Sequence, residues 1–163
     1  MLNRVVLTLA CGVALNSGLR AQNPPAGVVT ERSITLSAAA DAALAAVEKC
    51  RGDGFRVAAV VVDRGGNVKA VLRDDGASPH TVDTSKKKAF TSFFFRIPSA
   101  DFVARVAANP GLRDITGTIA LGGGLPLRSG AEVIGAIGVG GAPSGDADQA
   151  CAQAGVDRVA GKL

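Results

Sequence analysis

The chain has 163 residues, with 18 Lys and Arg, 14 Asp and Glu, and a formal net charge of +4. A hydrophobic content of 47% with 20% charged residues favours one globular domain and excludes a disordered chain. The basic residues are scattered apart from 86–88, and without the first 21 residues the net charge falls to about +2. This bias is too weak to predict nucleic-acid binding.

Residues 1–21 have the pattern of an export signal. Arg4 precedes an apolar stretch at 5–15, and Ala21 is the candidate last residue before cleavage. The stretch is shorter than the about 20 residues of a membrane-spanning helix. A lipoprotein signal at Cys11 and an uncleaved N-terminal helix are the alternatives. We therefore predict a periplasmic or secreted protein without stable membrane insertion of the mature chain, with a flexible leader at 22–32 and one domain at 33–163.

A helix and a β-hairpin are predicted after the leader. Ser37 can cap a helix that runs to about residue 49. Apolar residues at helical spacing define its expected inner face: Leu36, Ala40, Ala43, Leu44, Val47 and Cys50. Residues 56–63 are a β-branched run of strand length, and 68–73 alternate apolar and basic side chains after a glycine turn.

The second half contains the remaining predicted elements. Helices are expected at 81–95, from Ser99, and at 146–159, where Ser144 or Asp146 can cap the last one. Short strands are expected at 118–121, 125–128 and 132–139, separated by glycine turns. The order helix, two strands, two helices, three strands, helix predicts an α/β fold with an antiparallel sheet.

Two glycine-rich stretches, 122–124 and 138–141, resemble nucleotide-binding loops only superficially. No Gly-Lys-Ser/Thr follows, and the strand-turn-helix context of a dinucleotide site is missing. Tight turns and close backbone approach explain these glycines. At the ends of strands they also allow a flat ligand to approach the backbone.

Export would leave two cysteines, Cys50 and Cys151, in an oxidising compartment. Such a pair is a disulfide candidate, and two independently buried thiols are the alternative. The absence of a Cys-x-x-Cys spacing argues against a metal site. Cys50 ends the first predicted helix and Cys151 lies near the start of the last, so a bridge forms if the two helices pack antiparallel on one face of the sheet.

Four blocks, in this order, resemble the GlcG/HbpS family: "AVVVDRGGNVKAVLRDDGA", "KKKAFTS", "IALGGGLPL" and "VIGAIGVGGAPSGDADQACAQAG". The resemblance covers about residues 33–160. It implies a five-stranded antiparallel sheet flanked by helices in a profilin-like arrangement, assembled into homo-oligomers. Exported members are linked to binding of heme, and some to heme breakdown, whereas relatives in glycolate- and propanediol-use operons suggest roles with small metabolites. Gly140 replaces a serine found in many relatives, which removes one hydroxyl from the expected pocket.

His80 is the only histidine of the chain and the leading candidate for a metal ligand. Neutral imidazole ligates heme iron well, and His80 stands between the end of a strand and the start of a basic helix. Thr81 offers an oxygen as an alternative ligand. The competing interpretation is a solvated loop histidine after Pro79.

Two cations near His80 are candidates for binding a carboxylate of the same ligand. Arg73 ends the predicted second strand, and Lys88 belongs to the basic run. Because residues 86–88 point in directions about 100° apart on a helix, one lysine at most faces a pocket, and Lys88 adjoins the apolar stripe. Gly123 and Gly124 are expected to close the ligand mouth from another strand.

The phenylalanines of the predicted helix at 81–95 are expected in the core or in an oligomer interface, with stacking on a porphyrin as the alternative. They are Phe90, Phe93 and Phe94.

The sequence thus predicts an exported protein that binds heme or a related tetrapyrrole, with a role in heme sequestration or degradation. The alternative is an enzyme or enzyme accessory that acts on a small carboxylate metabolite. No residue pattern decides whether a reaction is catalysed.

Overall fold

The computed structural model describes residues 25–163, and the predicted signal at 1–21 lies outside these residues. Residues 31–163 form one compact unit. The described chain contains four α-helices, four β-strands and two short 3-10 segments. They are α1 (Leu36–Gly52), β1 (Ala58–Asp63), β2 (Val68–Arg73), α2 (His80–Phe95), α3 (Ser99–Ala108), a 3-10 segment (Pro110–Asp114), β3 (Gly124–Ser129), β4 (Glu132–Gly140), α4 (Gly145–Val159) and a 3-10 segment (Ala160–Lys162).

The sheet is antiparallel, in the order β2-β1-β4-β3. Alternate residues of β1 enter two separate cores. Ala59 and Val61 pack with α1 and α4, whereas Val60 and Val62 pack with Ala89 of α2. Helices therefore cover both faces of the sheet, which explains why β1 is a continuous apolar run rather than an alternating one.

The expected fifth strand at 118–121 does not form, so the prediction of a five-stranded sheet is wrong. The backbone of this segment is satisfied by side chains instead of a neighbouring strand. Thr91 Oγ1 accepts a hydrogen bond from Ile119 N at 2.9 Å, and Ser99 Oγ donates to Leu121 O at 2.7 Å. Ser99 Oγ also accepts from Gly124 N at 2.8 Å, where β3 begins.

Helix α1 is capped by Thr35 rather than Ser37, since Thr35 Oγ1 accepts from Ala38 N at 3.2 Å. Its inner face also differs from the expected one, because Leu36 and Leu44 are 64% and 47% exposed. The buried stripe is instead largely alanine, and its small side chains allow close packing. A Cβ added at Gly155 of α4 would lie 2.6 Å from Ala42 O of α1.

Cys50 and Cys151 form a disulfide that joins α1 to α4, as predicted. Both residues are fully buried in the core on that face of the sheet. The bridge spans 101 positions of the sequence and fixes the end of α1 against the second turn of α4.

On the other face, glycines of β4 let α2 approach the sheet closely. A Cβ at Gly138 would lie 2.5 Å from Ala89 N, and one at Gly140 would lie 3.0 Å from Ser85 Oγ. Because Gly140 has no side chain, Ser85 Oγ can approach the sheet, where it donates a hydrogen bond to Ala58 O at 2.8 Å. This contact brings the start of α2 to the end of the sheet where β1 begins and β4 ends.

Candidate functional site

A cleft of about 340 Å³ opens where α2 begins and where the loop at 141–145 leads from β4 into α4. It contains His80, Thr81 and Lys88, three of the residues predicted from the sequence. A larger groove of about 450 Å³ lies at the start of α1 but contains none of the predicted site residues. We therefore take the smaller cleft as the candidate site.

The starts of two helices converge on the cleft because each has a local signal that begins it. Pro79 precedes His80 with a helical φ of −55°, and the Gly76 turn before it has a φ of +79°. Of the two predicted candidates, Ser144 rather than Asp146 caps α4, and its Oγ accepts from Ala147 N at 3.1 Å. Helix starts present unpaired backbone N–H groups and favour anions.

His80 is exposed at the first position of α2. Its Nδ1 lies 2.8 Å from Ser78 Oγ, which also lines the cleft. Within residues 25–163, Nε2 has no hydrogen-bond partner. Histidines that ligate metals usually hydrogen-bond through the other ring nitrogen, which orients the ring, so Ser78 is suited to that supporting role.

Lys88 is buried and forms an ion pair with Asp148 of α4. The distance between Lys88 Nζ and Asp148 Oδ2 is 2.6 Å, and the side chains are only 4% and 5% exposed. The other Asp148 oxygen, Oδ1, accepts from Ala142 N at 2.9 Å. Asp148 therefore links α2 to the 141–145 loop, and the Lys88 ammonium is occupied by a carboxylate of the protein itself.

Burial raises the pKa of the Asp148 carboxyl above its ordinary value, against the opposing effects of Lys88 and of the Ala142 N–H group. The other two lysines of the run, Lys86 and Lys87, do not share this environment. Lys86 is exposed, and Lys87 pairs with Asp83 at 2.8 Å one turn earlier on the same helix.

Arg73 and Thr81 are both occupied by contacts in the turn before α2. The Arg73 guanidinium donates to Ala77 O and does not line the cleft. Thr81 lines the cleft, but its Oγ1 donates to Ser78 O at 2.6 Å.

Gly123 and Gly124 lie behind the cleft wall rather than in it. Gly123 has a φ of +116°, and a Cβ there would lie 2.7 Å from Asp148 Cβ and 3.0 Å from Lys88 Nζ. Gly124 packs against the backbone carbonyl of Lys88. Both glycines thus make room for the ion pair. Gly141 and Gly145 line the cleft instead.

Phe90, Phe93 and Phe94 do not line the cleft, and Phe93 packs against the smaller core around Ala89. Phe94 is 51% exposed, and Phe90 and Phe93 are half-buried beside Gly66. Phe102 is the fully buried aromatic residue, stacked on Phe95 with a centroid distance of 4.4 Å.

Arg56 lines the cleft but is absent from the site predicted from the sequence, where it was only the first residue of the expected strand at 56–63. A signal existed in the strand order. Ala58 at the start of β1 pairs with Arg73 at the end of β2 and with Gly140 at the end of β4. A basic residue just before β1 therefore lies at the same end of the sheet as the turn before α2 and the loop before α4.

Residues 25–163 contain no cluster of three or more His, Cys, Asp or Glu side chains suited to hold a metal ion. None of the helices in this range combines the length and the apolar character required to cross a membrane.

The family model described as "Haem degrading protein HbpS-like" matches residues 34–157. The chain belongs to this HbpS-like family. A crystal structure of Streptomyces reticuli HbpS, a double mutant, is 40% identical with a TM-score of 0.80, covering 85% of this chain and 94% of that chain. The membership confirms the resemblance to the GlcG/HbpS family and the α/β fold.

Two further proteins that are similar to this chain have names that describe no activity. The Klebsiella pneumoniae protein ORFY is 31% identical with a TM-score of 0.78, and the match covers 85% of this chain and 98% of that one. An uncharacterized 15.0 kDa Citrobacter freundii protein, encoded between dhaT and dhaS, is 34% identical over 114 residues. That match covers 67% of this chain and 80% of the relative.

Proposed function

We propose that the cleft binds heme or a related tetrapyrrole, with His80 as the ligand of the iron. Membership of a family described as haem degrading supports the ligand class. The observation that carries the proposal is the His80 ring at the cleft, with Nδ1 held by Ser78 Oγ and Nε2 without a partner among residues 25–163. An imidazole oriented in this way is suited to bind iron.

The residues present fit such a ligand in two respects. His80 supplies an imidazole nitrogen as a ligand, and the two helix starts supply N–H groups for the acidic side chains of a tetrapyrrole. Bound heme would supply redox-active iron. The protein would hold the iron through His80, and it would hold the carboxylates of the tetrapyrrole through the N–H groups at the two helix starts. Thr81 stays a proposed oxygen ligand as the alternative to His80.

Lys88 has an indirect role in this proposal. Because its ammonium is paired with Asp148, it holds the 141–145 loop through the Asp148–Ala142 hydrogen bond. Direct binding of a propionate by Lys88, Arg73 or the Gly123–Gly124 backbone stays a prediction, and the structure shows no support for it.

A small carboxylate metabolite is the second candidate ligand, whether for catalysis or for an accessory role. The observation in its favour is the size of the cleft, about 340 Å³, near the lower end of the about 300–1,000 Å³ typical of ligand pockets. The helix starts would bind its carboxylate in the same way.

We also propose that the protein is exported to the periplasm or secreted. The disulfide supports an oxidising compartment. The signal at 1–21 is a sequence prediction. Sequestration or degradation of heme, and assembly into homo-oligomers, are further predictions that follow from the family resemblance.

A hemin titration of the mature protein, followed by its Soret absorbance, tests the function. We expect saturable binding, and we expect His80→Ala to shift or abolish the Soret band because the iron loses its imidazole. Asp101→Ala is the control, since Asp101 is exposed on α3.

A spectrum and an affinity of His80→Ala equal to those of the wild type would make His80 a solvated residue. Failure of the wild type to bind hemin saturably would contradict the heme proposal and favour the small carboxylate.

A further inference from the structure

We infer that Arg56 is the carboxylate-recognising residue of the cleft and that Asp74 positions it. The inference rests on the proposed function and adds the part of the ligand that is recognised, a free carboxylate such as the propionate of a tetrapyrrole. Arg56 lines the same cleft as His80.

Asp74 is a buried carboxylate, with a side chain 1% exposed, that two arginines share. Arg51 binds it through the Nε atom, at 3.1 and 3.2 Å from the two carboxylate oxygens, and through a terminal nitrogen. Asp75 N donates to it at 2.8 Å. Arg56 NH1 lies 3.7 Å from Asp74 Oδ2, which is within ion-pair distance but too long for a hydrogen bond.

This arrangement orients Arg56 but leaves its hydrogen-bond donors without acceptors in the described part of the chain. One negative charge faces two guanidinium groups, and Arg51 occupies most of its acceptor capacity. Arg56 is 50% exposed, and its side chain donates no hydrogen bond to any group within the described part of the chain. Its five N–H donors remain available in a plane that suits a bidentate carboxylate.

Among the charged side chains that line the cleft, Arg56 has no acidic partner in the lining itself, because Asp74 lies outside it. Asp148 is the one acidic side chain among the lining residues of the described structure, and Lys88 neutralises it at 2.6 Å. The starts of α2 and α4 add partial positive charge. An anion that enters the cleft would therefore meet the guanidinium of Arg56 rather than the ammonium of Lys88.

The backbone at Arg56 is fixed by a close contact with the loop before α4. Gly141 has a φ of +128°, and a Cβ there would lie 2.6 Å from Arg56 O. The position of Arg56 relative to the 141–145 loop is therefore set by packing, while its side chain stays accessible.

The experiment compares two ligands and two arginine variants. Hemin carries free carboxylates, and its dimethyl ester lacks them. We expect Arg56→Gln to weaken hemin binding by about tenfold or more, as the loss of a charge-assisted hydrogen bond predicts. The affinity for the ester should not change, and the Soret maximum of the hemin complex should stay in place because His80 is intact.

Arg105→Gln is the matched control, because Arg105 is exposed on α3 and lies outside the cleft. Asp74→Asn should reduce the preference for hemin over its ester while leaving ester binding intact. A merely structural role would instead weaken both ligands equally. A thermal melt of each variant shows whether it is folded.

Equal hemin affinity of Arg56→Gln and Arg105→Gln, with a wild type that binds, would overturn the role of Arg56 alone. An equal loss for hemin and for the ester would do the same. No saturable binding by the wild type would overturn the proposed heme function and this inference with it.

Discussion

Asp74 and Asp148 are both buried beside the cleft, each 3% exposed, but their cationic partners differ. Asp74 is held by two arginines that are about half exposed, and Asp148 by a lysine that is itself buried. The Arg51 hydrogen bond holds the pKa of Asp74 below its ordinary value, whereas burial raises that of Asp148. Hydrogen bonding by Arg51 thus prevails at Asp74, whereas desolvation of the carboxyl itself prevails at Asp148.

The two carboxylates consequently have different roles. Asp74 neutralises Arg56 only in part, so positive charge remains at the cleft. Asp148 is fully paired within the protein, and its contacts with Lys88 and Ala142 N link α2 to the 141–145 loop. The exposed arrangement is suited to a ligand, and the buried one is suited to holding the wall of the cleft.

The largest expected effect comes from the disulfide, which joins the two regions. Cys50 precedes Arg51, and Cys151 lies one turn after Asp148. The Cys50→Ala/Cys151→Ala variant should lose up to about 4–5 kcal/mol of unfolding free energy, because the bridge closes a loop of about 100 residues. Urea unfolding followed by circular dichroism measures this loss.

Reduced wild type is the control and should match the double variant. A variant as stable as the oxidised wild type, or two reactive thiols in the unreduced denatured protein, would contradict this prediction.

Removal of the buried cation should cost about 3–5 kcal/mol, because Lys88→Met leaves the Asp148 charge uncompensated. Arg51→Met is the matched variant at Asp74 and should cost less, since Arg51 is exposed and the Asp75 N–H group and Arg56 remain. Urea unfolding at neutral pH compares the two.

The double variant Lys88→Met/Asp148→Leu should recover most of the loss, because it removes both charges from the interior. If it stays as unstable as Lys88→Met, the cost arises from packing rather than from an unpaired charge. Equal losses at Lys88 and Arg51 would remove the distinction between the two carboxylates.

The smallest effect is a change in the pH dependence of stability. Because the pKa of Asp74 is lowered in the folded protein, this residue stabilises the fold fully at pH values above its ordinary pKa of 3.8. That stabilisation is lost as the pH falls through the pKa of Asp74 in the folded protein. The raised pKa of Asp148 gives the opposite sign, a contribution complete below 3.8 and lost as the pH rises through its folded value.

Unfolding free energies measured from neutral to acidic pH separate the two carboxylates. The advantage of the wild type over Asp74→Asn should shrink below pH 3.8. Relative to Asp148→Asn, the wild type should lose stability as the pH rises above 3.8. The same slope in both comparisons would show that their surroundings are equivalent.

Local signals predicted much of this molecule correctly. Neighbouring residues sufficed to predict the apolar run of β1, a helix that starts within one residue of His80, and Ser144 as one of two candidate caps. The disulfide was predicted on the condition that the first and last helices pack antiparallel. The missing fifth strand could not be predicted, because Thr91 and Ser99 supply its backbone partners from helices distant in sequence.

The site was less predictable than the fold for the same reason. Asp148 resembles an ordinary acidic residue in the first turn of a helix, and its pairing with Lys88 across 60 positions becomes visible only after folding. Arg56 and Asp74 likewise meet through strand pairing.

The Cys50–Cys151 bridge also has a consequence for proteolysis. Every position from 51 to 150 lies inside the covalent loop, including the exposed segment Pro110–Asp114. A protease that cuts once in this segment would create two new chain ends without releasing a fragment. The nicked protein would migrate as one species on a non-reducing gel and separate into two pieces only after reduction.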